Sequence, residues 1–462
     1  MDRISGLPDE LLEKILSFVP TQVAVSTSIL SKRWKFLWMS LPKLEYDDTC
    51  NRYPESALEE FIDKNLPLHR APVIESLSLH FGGDSNVEPE DIKRWVEIAV
   101  SRNVRELDIS YSHSEKEIIF PSSFYTCKSL VVLKLRYVTL MDVPSTACLP
   151  SLKTLKLESV THPNQESLQQ LLSVCPVLEE LSMHFDGDHD GVFTVIVPSL
   201  QRLSLYIAHD LFLEGYEIET PSLKYLKLDD QNIMEHESDI TNMPKLNEAY
   251  VDLVSHDLKS VIGTVTSVKR LTICSPVIFF LHFINLEFVE SSVNNVCSIV
   301  GQDNAYGDDL VFNQLQHLTL CVCKNDSLNV LGQLLKDSPN LQVLDICVIE
   351  GHWTDEMVCW NQPSSVPQCL LSSLQILSWS RYFGRPQERE IAIYILKNAC
   401  CLKKATFLAD TEYHVSNLEM IKELTLSSRA SSTCELVFVE DDDDREFEAE
   451  SEAESEAESE SE

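Results

Sequence analysis

Apolar positions recur along this chain in two different periods. Near the N-terminus, Leu11, Leu12, Ile15, Leu16 and Val19 stand at helical spacing. Pro8 is placed to open that helix, Asp9 and Glu10 suit the positive end of its dipole, and Pro20 stops it. A second helix is predicted from Thr21, an N-cap residue type, through Val23 to Leu30. A third holds Leu30, Trp34, Leu37 and Trp38 at i, i+4, i+7 and i+8 on one face. Helices this short cannot bury their apolar stripes alone, so they need each other, the next domain or a partner.

Beyond residue 50 the period becomes two, in short bursts. Pro150-Ser-Leu-Lys-Thr-Leu-Lys-Leu157, Pro198-Ser-Leu-Gln-Arg-Leu-Ser-Leu205 and Pro221-Ser-Leu-Lys-Tyr-Leu-Lys-Leu228 share one frame. The same frame starts at Pro176, Pro244 and Pro339, and it persists without proline at Leu77/Leu79, Leu107/Ile109, Leu133/Leu135, Leu271/Ile273, Leu318/Leu320 and Leu377/Trp379. Successive prolines from Pro150 to Pro244 are spaced by 26, 22, 23 and 23 residues. That period with an L-x-x-L-x-L core is the signature of leucine-rich repeats. Each repeat contributes a short strand whose two L-x-L residues point inward, and each needs its neighbours to bury them, so the repeats stack into a curved solenoid. Helices or turns are expected on its outside, for example over Leu168, Leu171, Leu172 and Cys175 and over Leu328, Leu331, Leu334 and Leu335. Between Ile273 and Leu318 the frame lapses, which reads as one degenerate repeat and a loop over 301–309.

From about residue 351 a Pro/Ser-rich lead-in precedes a strand near Leu374, a helix over 388–399, strands over 402–408 and 434–439, and a helix between them near 416–426. The last stretch, 440–462, is Glu, Ser and Ala in low-complexity order and carries 14 acidic residues against one Arg. It cannot build a core and reads as a disordered tail. Ser451, Ser455 and Ser459 each have Glu three residues on, which suits acid-directed kinases, although a solubilising role explains the tail as well. The expected domains are 1–48, 49–350, 351–439 and the tail.

Charge then narrows the function. The formal net charge is -36, and the body of the chain is acidic even without its tail. Binding to a nucleic-acid backbone or to anionic lipid needs a basic surface, so neither is expected. The 12 glycines form no phosphate-cradling loop or nucleophile elbow, and no metalloprotease motif or metal-ligand cluster is evident, so no catalytic residue, metal or cofactor is expected. The 14 cysteines include Cys321-Val-Cys323 and Cys400-Cys401 but no C-x-x-C, and most sit in apolar runs as small buried hydrophobes. No signal core or spanning run is present, which places the protein inside the cell, in the nucleus, the cytoplasm or both.

The run GLPDELLEKILSFVPTQVAVSTSILSKRWKFLW closely resembles the F-box of plant F-box proteins. The stretches 365–374, 394–405 and 431–438 resemble the FBD domain found C-terminally in the same plant family. The fold implied is α/β: a three-helix F-box, a leucine-rich-repeat solenoid with a parallel concave sheet, and a C-terminal α/β FBD cap. The function implied is that of a non-catalytic substrate receptor of an SCF-type E3 ubiquitin ligase. Its F-box would dock on a Skp-type adaptor, and through it on cullin and RING subunits, while the repeats select an unknown target protein. Carried over by position, the adaptor-facing residues are Leu7, Pro8, Leu11, Ile15, Leu16, Val19, Val25, Leu30 and Trp34, the last also a packing residue. Gln22-Val23 departs from the charged pair that many relatives carry after Pro-Thr. The alternative function is a leucine-rich-repeat scaffold outside any ligase.

Two basic features complete the reading. Lys32, Arg33 and Lys35, in the segment ILSKRWKFLW, form the polar side of the third helix rather than a nucleic-acid arm. On the strands, Lys134, Arg136, Lys156 and Lys227 fall on the concave face, where an acidic or phosphorylated target patch could engage them. A polar sheet face without a ligand is the plainer alternative.

Overall fold

The structure, a computed structural model, describes residues 4, 6–48, 57–83, 85–112, 118–139, 143–160, 165–187, 189–234, 236–241, 243–254, 258–274, 310–323, 327–349, 352, 360, 362–409 and 417–440. Glu440, expected to open the tail, ends a strand, while the rest of the acidic tail with its serines and the loop expected at 301–309 lie outside the described residues. The chain divides into two compact units, Met1–Leu246 and Asn247–Glu462.

The first unit opens with helices α1 (Asp9–Leu16) and α2 (Thr21–Ser26), followed by 3-10 turns at Thr27–Ile29 and Trp34–Ser40. The second predicted helix therefore ends in a 3-10 turn at Thr27–Ile29, and the third is a 3-10 segment at Trp34–Ser40. At three residues per turn, Trp34 and Leu37 align and bury together with Trp38 and Met39, while Leu30 is left 64% exposed, off the face predicted for it. Arg33, expected on the solvated side, instead donates to Asp9 Oδ1 at 2.8 Å and to the Leu7 carbonyl, tying the third segment to the start of α1.

Strands β1 (Lys43–Asp47), β2 (Ser76–Phe81), β3 (Glu106–Tyr111), β4 (Val132–Arg136), β5 (Thr154–Glu158), β6 (Glu180–Phe185), β7 (His189–Ile196), β8 (Arg202–Ile207), β9 (Leu213–Glu219), β10 (Tyr225–Asp230) and β11 (Glu237–Thr241) follow. All but β7, β9 and β11 form one parallel sheet in chain order, so β1, inside the F-box stretch, pairs with β2. Leu77, Leu107, Leu133, Leu155, Leu181, Leu203 and Leu226 are register partners from strand to strand and fully buried. Each such leucine contributes about 1.5–3 kcal/mol by burial, which is why the L-x-L frame is the strongest feature of the sequence.

Where repeats are long, helices cross over between strands: α3 (Ala57–Asn65), α4 (Pro89–Ser101) and α5 (Gln165–Ser173). Three of the shortest repeats differ from expectation. Their outer segments are β7, β9 and β11, a second parallel sheet in the order β11-β9-β7. Gly191, Phe193, Val195 and Val197 alternate inward, and Phe193 stacks on Phe185 of β6 at 4.7 Å. Gly215 lets β9 meet β11, since a Cβ there would stand 2.3 Å from the Glu237 carbonyl oxygen.

The second unit holds β12 (Glu248–Leu253), β13 (Arg270–Cys274), β14 (His317–Cys321), β15 (Val343–Cys347), β16 (Ile376–Tyr382), β17 (Lys404–Ala409) and β18 (Glu435–Glu440), again parallel and in chain order. Its helices are α6 (Leu258–Thr264), α7 (Ser327–Asp337), α8 (Gln368–Ser372), α9 (Pro386–Asn398) and α10 (Asn417–Leu426). From β16 on, the inward row turns aromatic: Trp379, Phe407 and Phe438 are register partners, with the last two stacked at 5.8 Å. The FBD-like part thus continues the strand-and-crossover plan instead of adding a different architecture.

Candidate partner-binding surfaces

On α1 two apolar stripes run side by side, one turned to the core and the other to solvent. Leu12 and Leu16 are buried, while Leu11 and Ile15 are 47% and 43% exposed. Phe18, seven residues after Leu11, extends the outer stripe and is 78% exposed. Val19, Val23, Ile29, Leu30 and Phe36 are also exposed. The interior beneath is complete without them. Trp34, Leu37 and Trp38 fill it, and the Thr21 hydroxyl accepts the Glu45 amide of β1 at 2.8 Å. So many large apolar side chains outside a finished core mark an interaction surface.

Of the residues expected to face an adaptor, Leu11, Ile15, Val19 and Leu30 lie on this surface, and Pro8 is exposed at the head of α1. Leu7 and Val25 are half-buried. Leu16 and Trp34 are in the interior, at 2% and 6% exposure, so they shape the surface from below. Sequence reasoning missed Phe18, Val23, Ile29 and Phe36. Phe18 had a signal, its i+7 relation to Leu11, whereas Ile29 sits in a 3-10 turn that helical spacing does not describe.

Two of the four cations expected to meet a target, Lys134 and Arg136, are already engaged in the first unit. Lys134 Nζ is 2.9 Å from Glu106, and Arg136 reaches Asp108 at 3.2 Å and Glu158 at 3.1 Å. His80 lies 3.3 Å from Asp108 and 3.9 Å from Asp47. Asp47, His80, Arg136 and Glu158 fall in one register row with Ser110, and Asp108, two residues before Ser110, reaches both His80 and Arg136. Lys156 is exposed and Lys227 half-buried. With Lys134 and Arg136 paired to carboxylates of neighbouring strands, the face is a weaker attractor for a phosphate than four free cations.

The Asp108 carboxylate, 3.3 Å away, raises the pKa of His80 above its usual value, against desolvation. Burial alone would raise Asp108, but His80, Arg136 and Lys134 outweigh it and hold the carboxyl below its usual range. The signs follow from linkage. The stabilising contribution of His80 is full below its unfolded pKa near 6.5 and is lost as pH rises through the raised folded value. That of Asp108 is present above 3.8 and is lost as pH falls through the lowered value. Asp108→Asn should return the His80 midpoint toward that of a free imidazole in an NMR titration. An unmoved midpoint would show that the pair does not interact in solution.

Two features lie in the second unit. A cleft of about 530 Å³ between the lead-in to α8 and α9 is lined by Pro363, Val366, Arg389, Ile393, Tyr394 and Glu423 among others. Separately, Cys274, Cys321, Cys323 and His352 converge at the ends of β13 and β14. Among the described residues no helix is long and apolar enough to cross a membrane.

Comparison with known proteins agrees with this layout. Residues 4–46 match the F-box domain family, 92–277 match the leucine-rich repeats of the FBD-associated F-box protein At5g56370 family, and 362–407 match FBD. The FBD-associated F-box protein At5g38590 of Arabidopsis thaliana is 57% identical over 430 residues, spanning 92% of this chain and 98% of that protein. A second Arabidopsis thaliana relative, FBD-associated F-box protein At4g10400, is 53% identical over 444 residues, spanning 95% and 100%. With an F-box at its head, leucine-rich repeats in register behind it and an FBD segment near its C-terminus, this chain belongs to the family of FBD-associated F-box proteins.

Proposed function

We propose that this protein is the substrate-recognition subunit of an SCF-type E3 ubiquitin ligase. The observation that carries the proposal is the row of large apolar side chains, led by Leu11, Ile15 and Phe18, left outside a finished F-box core. F-box domains generally bind Skp-type adaptors, and an apolar helical face is the natural counterpart of an adaptor groove. In this reading residues 1–48 hold the adaptor, and through it the cullin and RING subunits. Residues 49–350 choose the target, 351–439 close the array and 440–462 form the tail. The chain acts by proximity. Holding a target beside the ubiquitin-loaded subunits raises the effective concentration of its lysines, and ubiquitin transfer itself belongs to the partners.

The test is proximity labelling by the full-length protein in plant cells, with and without proteasome inhibition. The Skp-type adaptor and cullin are expected among the labelled proteins. Targets should accumulate only under inhibition and only when residues 1–38 are present. Absence of the adaptor sinks the ligase reading. Partners whose abundance ignores residues 1–38 would instead identify a leucine-rich-repeat scaffold.

A further inference from the structure

We propose that Cys274, Cys321, Cys323 and His352 form a Cys3His site for a structural zinc ion. Their donor atoms all lie within 4.8 Å of one another. Cys274 Sγ is 3.4 Å from Cys323 Sγ and 3.4 Å from His352 Nδ1, and Cys321 Sγ is 3.5 Å from that same nitrogen. A zinc ion with Zn–S bonds of about 2.3 Å holds tetrahedral sulfurs about 3.8 Å apart, so the four donors already stand near the corners of its coordination shell.

The surroundings are those of a ligand site. Asp252 is the register partner of Cys274, and its side chain is 1% exposed. Its Oδ2 is 3.1 Å from His352 Nε2, and its carboxylate takes no hydrogen bond from any other described group. A carboxylate at Nε2 keeps the proton on that nitrogen, which turns the Nδ1 lone pair toward the three sulfurs. The amide of Ile349 points at Cys321 Sγ, 3.4 Å away, as a donor to a thiolate does.

An ordinary buried cysteine in this protein looks different. Cys175 donates its thiol proton to the Leu171 carbonyl, and Cys369 to that of Leu335. Those two fit the reading of cysteine as a small hydrophobe. Cys274, Cys321 and Cys323 are buried as expected, but they aim at one another and at an imidazole with a buried carboxylate behind it, and here the proposal departs from that reading. Zinc binding would displace three thiol protons, form three Zn–S bonds and one Zn–N bond, and change no oxidation state. The ion would tie the ends of β13 and β14 to the residue-352 segment that follows β15.

The experiment takes full-length protein purified without chelator and measures bound metal by inductively coupled plasma mass spectrometry. About one zinc per chain is expected. Cobalt(II) exchanged into the site should show the visible bands and thiolate charge transfer of a tetrahedral sulfur-rich centre. Cys321→Ser/Cys323→Ser should remove both signals. Asp252→Asn, which keeps all four ligands, should weaken zinc affinity by about 10–100-fold. Four outcomes overturn the proposal: protein without metal and unable to take up cobalt, a Cys274–Cys323 disulfide in the peptide map, metal that survives the double serine variant, or affinity unmoved by Asp252→Asn. Should the serine variant fail to fold, the wild-type cobalt spectrum and the Asp252→Asn affinity still decide. None of these readouts involves the adaptor, so the site stands or falls apart from the ligase reading.

Discussion

Leu11→Gln/Ile15→Gln should weaken capture of a Skp-type adaptor by about 10–100-fold while leaving the protein folded. Both side chains are almost half exposed on α1, so neither fills a hole in the F-box. Glutamine is a good helix former, and exposed substitutions of this kind typically change stability by no more than about 0.5 kcal/mol. Docking would bury the exposed half of each side chain, so losing about 0.75–1.5 kcal/mol for each weakens the complex by about 10–100-fold. Isothermal titration against purified adaptor reads the affinity, and circular dichroism reads the fold. Leu12→Ala is the informative contrast, because Leu12 is fully buried beside the same stripe. There, binding and melting temperature should fall together, by about 2–5 kcal/mol in stability. Wild-type affinity in the double glutamine variant would remove α1 from the docking surface.

That contrast also explains what could be read from the sequence and what could not. Leu11, Leu12, Ile15 and Leu16 form one wide apolar stripe on paper, and spacing alone does not divide it between core and partner. Only the packing of Trp34, Leu37 and Trp38 against one side makes the division. The L-x-L strands were plain because their two inward residues obey a period of two under strong burial. The outer strands were less so, although Val192-Phe-Thr-Val-Ile196 is a run of β-branched and aromatic residues of the kind strands favour. A repeat of 22 or 23 residues leaves little chain for an outer helix, and that length argument was available before the structure. The thiol cluster is the opposite case. Cys274 and Cys323 are 49 residues apart, and Cys321 and His352 are 31 apart, so no local spacing announces them. They meet because the parallel register sets Asp252 beside Cys274 and brings β14 alongside β13. The pairing of two basic residues on the first-unit sheet was hidden for the same reason. Lys134 and Arg136 are visible in the sequence, but their partners Glu106, Asp108 and Glu158 come from neighbouring strands.

Glu388 sets a second large effect, this time on stability against pH. It is fully buried near the start of α9, where its Oε2 accepts the Arg385 amide at 3.0 Å and so caps the helix. Its other oxygen has no partner among the described groups. Burial pushes this carboxyl up to about 7, only partly offset by the Arg385 amide and charge and by the amides of Phe383 and Gly384. A raised carboxyl reverses the usual sign. Between the unfolded value of 4.5 and about 7 the native state holds a proton that the unfolded chain has released, so stability falls as pH rises across that window. The full difference is roughly 3 kcal/mol, complete above pH 7 and absent below pH 4.5. Glu388→Gln keeps an oxygen for the Arg385 amide and cannot ionise. Its stability relative to the parent should therefore climb by roughly that amount from pH 4.5 to pH 8, whatever the offset at acid pH. Hydrogen exchange of the α9 amides in full-length protein measures this locally. Parallel pH profiles for the two proteins would mean that Glu388 ionises freely and that the N-terminus of α9 is open to water.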